Sequence, residues 1–432
     1  MFEDFSFFMM REDVMDKIVI DGGRPLRGRI KISGAKNASL AILCATILSR
    51  KETVLENVPD ISDVRVMIEI VNSLGASITW EGAETLRVVP AEKISAGPPF
   101  HLVKKLRASN LLLGPMLARF GQAQVALPGG CNIGVRPMDL HFKGLTGLGA
   151  SLSLERGCVQ ASAPGRLKGA RIYLDFPSVG ATENIMMAAC LAEGQTLIEN
   201  VAKEPEVVDL ANFLNAMGAR VRGAGTDVIK IEGVPYLEGG ERYSIIPDRI
   251  EAGTFMVAAA ATGGDVVLDN VIPIHLEPLS AKLREAGVEV REEGDTLQVR
   301  AEKPLRPIDI KTMPYPGFPT DMQPQLMAML STAPGTSVIV ENIFENRFMV
   351  ADELKRMGAN IKVEGRMAVI EGVPALQGAQ VKATDLRAGA ALIVAGLMAA
   401  GKTEICNAAY IDRGYHNLEK KLTALGAAIW RK

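Results

Sequence analysis

The 432-residue sequence predicts an α/β protein of two domains, each built from three β-α-β-α-β-β modules. Three observations lead there. A small-residue turn closes an amphipathic helix at Gly75, Gly149, Gly218, Gly287, Gly358 and Gly426, with spacings of 74, 69, 69, 71 and 68. A period this regular marks stacked supersecondary units. Each period also holds a second helix that is apolar all round, as a helix buried on every side must be.

In chain order, the strands at Lys17 to Ile20 and Leu26 to Ile32 precede the first apolar helix, and are expected to complete the far domain. Each copy then opens on a strand, beginning with Leu55-Glu56-Asn57-Val58. The others are Ala126-Leu127-Pro128, Ile198-Glu199-Asn200-Val201, Leu268-Asp269-Asn270-Val271, Val340-Glu341-Asn342-Ile343 and Ile405-Cys406-Asn407-Ala408. The glycine ending each amphipathic helix fits the C′ position, where left-handed backbone stops a helix. An alternating strand follows, such as Ala76 to Trp80. The apolar helices are predicted over 38–48, 108–120, 182–191, 252–261, 322–330 and 388–400; all are too short to span a bilayer. The expected boundaries are an N-terminal extension over 1–14, disordered, with Met15 as an alternative start; one domain from 15–36 plus 244–432; and another over 37–243. The gap between them is the default ligand site.

The chain is 48% hydrophobic and 23% charged with net charge −2, the profile of a soluble protein. That balance excludes nucleic acid and anionic membrane as partners, and no obligate protein partner is evident. The N-terminus lacks the basic and apolar regions of a secretory signal. Five scattered cysteines without a CxxC pair point to a reducing, cytoplasmic setting and neither disulfides nor a zinc site. The histidines show no metal spacing, and Ser33-Gly34-Ala35-Lys36 is no P-loop. His141 and His416 have no Ser or Asp constellation near them, so no triad is read there.

Charges sit at two nodes of the repeat. One is the start of the apolar helix, with Lys36, Asn37, Arg107, Asp321, Asp385 and Arg387. The other is the break before the amphipathic helix, with Arg136, Arg347 and Arg413. Helix N-termini attract anions, and matched nodes are expected to bring Lys36, Arg107, Arg136, Arg347, Arg387 and Arg413 to one cleft. Such a set would grip phosphate and carboxylate together. Asp321 opposite it could take a proton from a substrate hydroxyl, and Asp385 would orient an arginine. Cys131 lies in the Gly-rich stretch Leu127 to His141, where a neighbouring guanidinium would favour thiolate.

These residues resemble a known family. Ser33-Gly34-Ala35-Lys36-Asn37, Arg107-Ala108-Ser109, Pro128-Gly129-Gly130-Cys131 with Gly134 and Arg136-Pro137, Phe318 to Gln323, Glu345 to Met349 and Asp385-Leu386-Arg387 are similar to the UDP-N-acetylglucosamine enolpyruvyl transferases. The resemblance runs from Met15 to Lys432. It implies two inside-out α/β barrel domains and transfer of the enolpyruvyl group of phosphoenolpyruvate to the sugar 3′-hydroxyl, releasing phosphate, in peptidoglycan synthesis. Cys131 resembles the general acid, which is also the thiol alkylated by fosfomycin. Lys36, Arg107, Arg136 and Arg413 resemble the phosphoenolpyruvate-binding set, and Asn37 a sugar contact. Arg136, Pro137, Met138, Asp139, Leu140 and Ile343 resemble the uridyl contacts. Asp321 resembles the base, with Arg347, Asp385 and Arg387 as its supporting array. Phosphoenolpyruvate and the UDP-sugar are the partners implied; no cofactor or metal is.

One segment departs from part of the family. Leu174 to Gly180 carries Phe176-Pro177 where some members have a lysine that holds the nucleotide phosphate. The rivals are the shikimate-pathway synthase, which lacks the Gly-Gly-Cys loop, a catalytically silent UDP-sugar-binding regulator, and a repeat scaffold that leaves the matched charges unexplained.

Overall fold

The computed structural model describes residues 16–94, 97–127, 133–134 and 137–432. Cys131 and Arg136, like the predicted extension over 1–14, lie outside the described residues.

The predicted apolar helices run over Lys36–Ala45, Leu113–Phe120, Val179–Ala189, Arg249–Thr262, Gln323–Leu330 and Leu386–Met398. Nearly every residue in them is buried, because no face is polar enough to meet water. The second starts later than the sequence suggests: Arg107–Leu112 is a 3-10 turn before the α-helix. Pro115 explains this, since it donates no N–H to residue 111 and crowds that carbonyl.

Among the described residues seven sheets are assigned: one per module surrounding these helices, and a two-stranded pair of Ser49–Lys51 with Leu237–Gly239. Their strands bury alternate residues, so each sheet turns one face inward and one to water, as in Asp265–Asp269 and Thr336–Val340. Five of these sheets are four-stranded; the one built on Gln122–Ala126 is three-stranded, so no first strand is assigned in the second module among the described residues. The third module has the expected form: strand Arg171–Tyr173, helix Val179–Ala189, strand Gln195–Glu199, helix Pro205–Ala216, then Arg220–Arg222 and Val228–Glu232. Helices lie inside and sheets outside, as expected, but the sheets are separate and none closes into a barrel among the described residues.

The repeat signatures have a local cause. All six turn glycines have φ between 92° and 107°, the left-handed region that favours glycine. The asparagine that follows five of the strands bonds the carbonyl ending the neighbouring strand. Asn57 Nδ2 reaches Ile245 O at 2.8 Å, Asn200 reaches Leu174 at 2.7 Å, and Asn270 reaches Ile32 at 2.8 Å. Asn342 and Asn407 do the same with Thr312 and Ala383.

The apolar interior falls into two clusters. One collects residues from Ala35 to Ile245; the other joins Ile18–Ile32 to residues from Ile250 to Ile429. We call them the first and second lobes. Strand exchange completes both. Lys17–Asp21 pairs with Lys402–Cys406 and Ala428–Arg431, and Arg27–Lys31 runs parallel to Asp265–Asp269. Arg242–Ser244 returns to pair with Thr53–Glu56. The two connections meet at an antiparallel bridge between Gly34 and Pro247. There Asp248 N donates to Ser33 O at 2.8 Å and Ala35 N to Ile246 O at 2.7 Å.

Candidate active site

Ionic side chains from both lobes meet beside this crossing. Lys36 begins the helix Lys36–Ala45, and its ammonium lies 2.7 Å from Asp63 Oδ2. Asp63 stands in the first turn of Ser62–Ser73, also in the first lobe. Arg413, in the second lobe, reaches the same carboxylate, with Nε 2.9 Å from Oδ1. Burial pushes the Asp63 carboxyl up, but Lys36 and Arg413 outweigh it and hold it below its ordinary range. Burial pushes Lys36 down and Asp63 pulls it back; Arg387 and Arg413 add to the lowering, so it sits below a free lysine.

A second carboxylate gathers two arginines. Asp321 precedes Gln323–Leu330 in the 3-10 turn Thr320–Met322. Its Oδ1 accepts from Arg347 at 2.8 Å, and its Oδ2 from Arg387 Nε at 3.1 Å and NH2 at 3.0 Å. Both arginine side chains are buried, while that of Asp321 keeps 28% of its accessible surface, so its orientation is fixed and its edge can still meet a substrate. Arg387 also donates to the Tyr415 hydroxyl at 3.3 Å, which bonds Thr254 at 2.9 Å. Burial opposes the Arg387 charge, but Asp321 and then Tyr415 raise its pKa overall. Arg387 also lowers the Lys36 pKa, so the charge of the second ionic group is felt at the first.

The Cys131 loop is described at its flank. Asn346 N, in the second lobe, donates to Ile133 O at 3.1 Å. Glu345 packs so closely that a Cβ on Gly134 would fall 2.3 Å from its Oε2. The flank of the loop therefore touches the opposite lobe, and the lobes are closed on one another.

A family model described as EPSP synthase (3-phosphoshikimate 1-carboxyvinyltransferase) matches residues 20–422. Two relatives named UDP-N-acetylglucosamine 1-carboxyvinyltransferase, from Caldanaerobacter subterraneus subsp. tengcongensis and Carboxydothermus hydrogenoformans, are each 58% identical over 96% of this chain and 99% of their own. The chain belongs to the UDP-N-acetylglucosamine 1-carboxyvinyltransferase family. Among solved structures it is similar to the enolpyruvyl transferase NikO from Streptomyces tendae, with a TM-score of 0.88 and 28% identity over 97% of this chain and 99% of that one.

Within this carboxyvinyltransferase chain the predicted residues fall as follows. Lys36, Arg413, Asp321, Arg347 and Arg387 join the two ionic groups. Asn37 is exposed on the first turn beside Lys36. Ile343 is half-buried in a loop that Glu341 builds, its carboxylate accepting the backbone N–H of Ile343 at 2.7 Å and of Phe344 at 3.1 Å. Pro137 and Asp139 are exposed and Leu140 half-buried at the start of Asp139–Gly147, whereas Met138 is buried against Asn110. Arg107 lies close enough to His141 to depress its pKa. Asp385 orients Arg387 through the backbone: Oδ1 caps the helix by accepting from Arg387 N at 2.9 Å, while the guanidinium turns to Asp321.

Sequence reasoning missed Asp63 and Asp248. Asp63 occupies the same node before an amphipathic helix that carries Arg136, Arg347 and Arg413 in other modules, so the repeat was the available signal. Asp248 caps Arg249–Thr262 through Oδ1. No metal-holding group of His, Cys, Asp and Glu occurs among the described residues, and no described helix is long and apolar enough to cross a membrane.

Proposed function

We propose that this chain transfers the enolpyruvyl group of phosphoenolpyruvate to the 3′-hydroxyl of UDP-N-acetylglucosamine and releases phosphate. This is the first committed step of peptidoglycan synthesis, which serves cell-wall biogenesis, cell shape and cell division. The observation that carries the reading is the pairing of Lys36 and Arg413, from two lobes, on Asp63, together with the carboxylate of Asp321 oriented by Arg347 and Arg387. The names of the 58% identical relatives support the choice of sugar nucleotide.

Phosphoenolpyruvate carries a phosphate and a carboxylate. Lys36 and Arg413, with Arg107 and Arg136, supply the cations to hold both. Asn37 faces the sugar; Arg136 to Leu140 and Ile343 take the uridyl part. The Cys131 thiol gives its proton to the methylene carbon, leaving the neighbouring carbon oxocarbenium-like. The 3′-hydroxyl attacks that carbon as Asp321 accepts its proton. Loss of a methyl proton and of phosphate from the tetrahedral intermediate restores the double bond. The fixed guanidinium groups stabilise charge as it develops, with Arg347, Asp385 and Arg387 keeping Asp321 in place. No cofactor enters this scheme, and the setting is cytoplasmic. We also read the two cores as the two domains, 15–36 with 244–432 and 37–243.

A phosphate-release assay tests the reading. Turnover is expected with phosphoenolpyruvate plus UDP-N-acetylglucosamine. Turnover only with phosphoenolpyruvate plus shikimate 3-phosphate would overturn it.

A further inference from the structure

We propose that Asp63 is a positioning residue for this reaction, a shared counter-ion that draws Arg413 across the interlobe seam to Lys36. The inference rests on the functional reading above and adds to it a residue that touches no reacting atom. Its carboxylate contacts Lys36 at 2.7 Å from its own lobe and Arg413 at 2.9 Å from the other. The Lys36 and Asp63 side chains retain only 10% and 6% of their exposure. An ion pair so far from water is not screened, and removing one partner leaves buried charge uncompensated. Arg413 is also the member of this trio that comes from the opposite lobe. Asp63 thereby ties the two lobes at the anion site, and it holds two cations together that would otherwise repel.

The charged groups around Lys36 are Asp63, Arg387 and Arg413, with Asp248 on its backbone N–H. Asp63 is the neighbour that supports the ammonium charge, and the two arginines oppose it. The two halves of the interaction therefore move the alkaline limb of a pH profile in opposite directions. A purely structural role would move neither.

The experiment compares wild type with Asp63→Asn, Asp63→Glu, Arg413→Gln and the Asp63→Asn/Arg413→Gln double variant. With phosphoenolpyruvate varied at saturating UDP-N-acetylglucosamine, Asp63→Asn is expected to lower kcat/KM about 30-fold or more. The double variant is expected to lose less than the product of the two single losses, since the Asp63–Arg413 contact can be lost only once. The alkaline limb should move to lower pH in Asp63→Asn, return part-way in Asp63→Glu, and move to higher pH in Arg413→Gln. Additive losses or an unmoved limb overturn the proposal. Should Asp63→Asn fail to fold, Arg413→Gln carries the pH test, since that side chain keeps 35% of its exposure. Wild type that turns over neither substrate pair would instead remove the functional reading. Amide exchange then decides on Asp63: Asp63→Asn should release protection over 409–414 in the opposite lobe, and unchanged exchange there overturns it.

Discussion

The carboxylate of Asp248 accepts the backbone N–H of Lys36 at 3.1 Å while its other oxygen caps its own helix. One side chain thus satisfies the starts of two apolar helices, one in each lobe. Helix N-termini leave backbone donors without partners. Here those donors pin Lys36 to the crossing point of the chain, so the position of the lysine proposed to hold phosphoenolpyruvate is set by the seam itself.

Gly34 is the tightest point of that crossing. A Cβ there would lie 1.6 Å from Asn57 O, a backbone atom that cannot swing aside. Gly34→Ala is expected to destabilise the protein by about 2–4 kcal/mol, read from the urea midpoint. A midpoint within error of wild type would show that the crossing can relax.

Asp321→Ala removes the carboxylate shared by Arg347 and Arg387. Its kcat is expected to fall by about 100-fold or more, with a much smaller change in substrate KM, as for an interaction used in the transition state. A loss confined to KM would contradict the role of base.

Cys131→Asp keeps an acid able to deliver a proton but removes the sulfur that, on the proposed reading, fosfomycin would alkylate. It is expected to retain turnover and to survive incubation with fosfomycin that inactivates wild type. Equal inactivation of both proteins would remove the thiol from its role.

His141 is buried, with Nδ1 3.0 Å from the Asn184 amide nitrogen, whose oxygen accepts from Gly114 N at 2.6 Å. Burial first, and Arg107 second, lower its pKa to about 4 from 6.5. The folded state therefore prefers the neutral ring, and the unfolded chain binds the extra proton between those values. Its contribution is complete above pH 6.5 and is lost as pH falls toward 4, by up to about 3 kcal/mol. Urea titrations of wild type and His141→Gln at pH 7.5 and 4.5 check this. The stability advantage of wild type should shrink at the lower pH; a constant difference would show that the ring is not held neutral.

Much of the architecture was legible because local rules and the global fold agree. The six glycines announced left-handed helix ends, and every one has positive φ. The all-apolar helices could only be interior, and they are. The expectation that the first strands complete the far lobe follows from counting modules, and Lys17–Asp21 and Arg27–Lys31 both pair there. What escaped has a common cause. In Ile61-Ser62-Asp63-Val64 the acid reads as a favourable first-turn residue; the repeat puts it at the node of Arg413, but only the fold brings both 36 and 413 to its carboxylate. Asp248 likewise reads as a cap for its own helix, while its second partner comes from a segment 212 residues away. The pairing of Asp321 with two arginines was half legible: the matched nodes brought the residues together, but only the fold decided that Arg347 and Arg387 would share that carboxylate.

Strand Lys17–Asp21 sits between two strands drawn from residues 402–406 and 428–431. During synthesis on the ribosome this N-terminal strand has no edge to pair with until those residues emerge. The stretch 35–245 meanwhile contains a complete apolar core of its own. Biogenesis is therefore ordered in time: one half can settle while the chain is still growing, and the other must wait until residues 402–431 have been made.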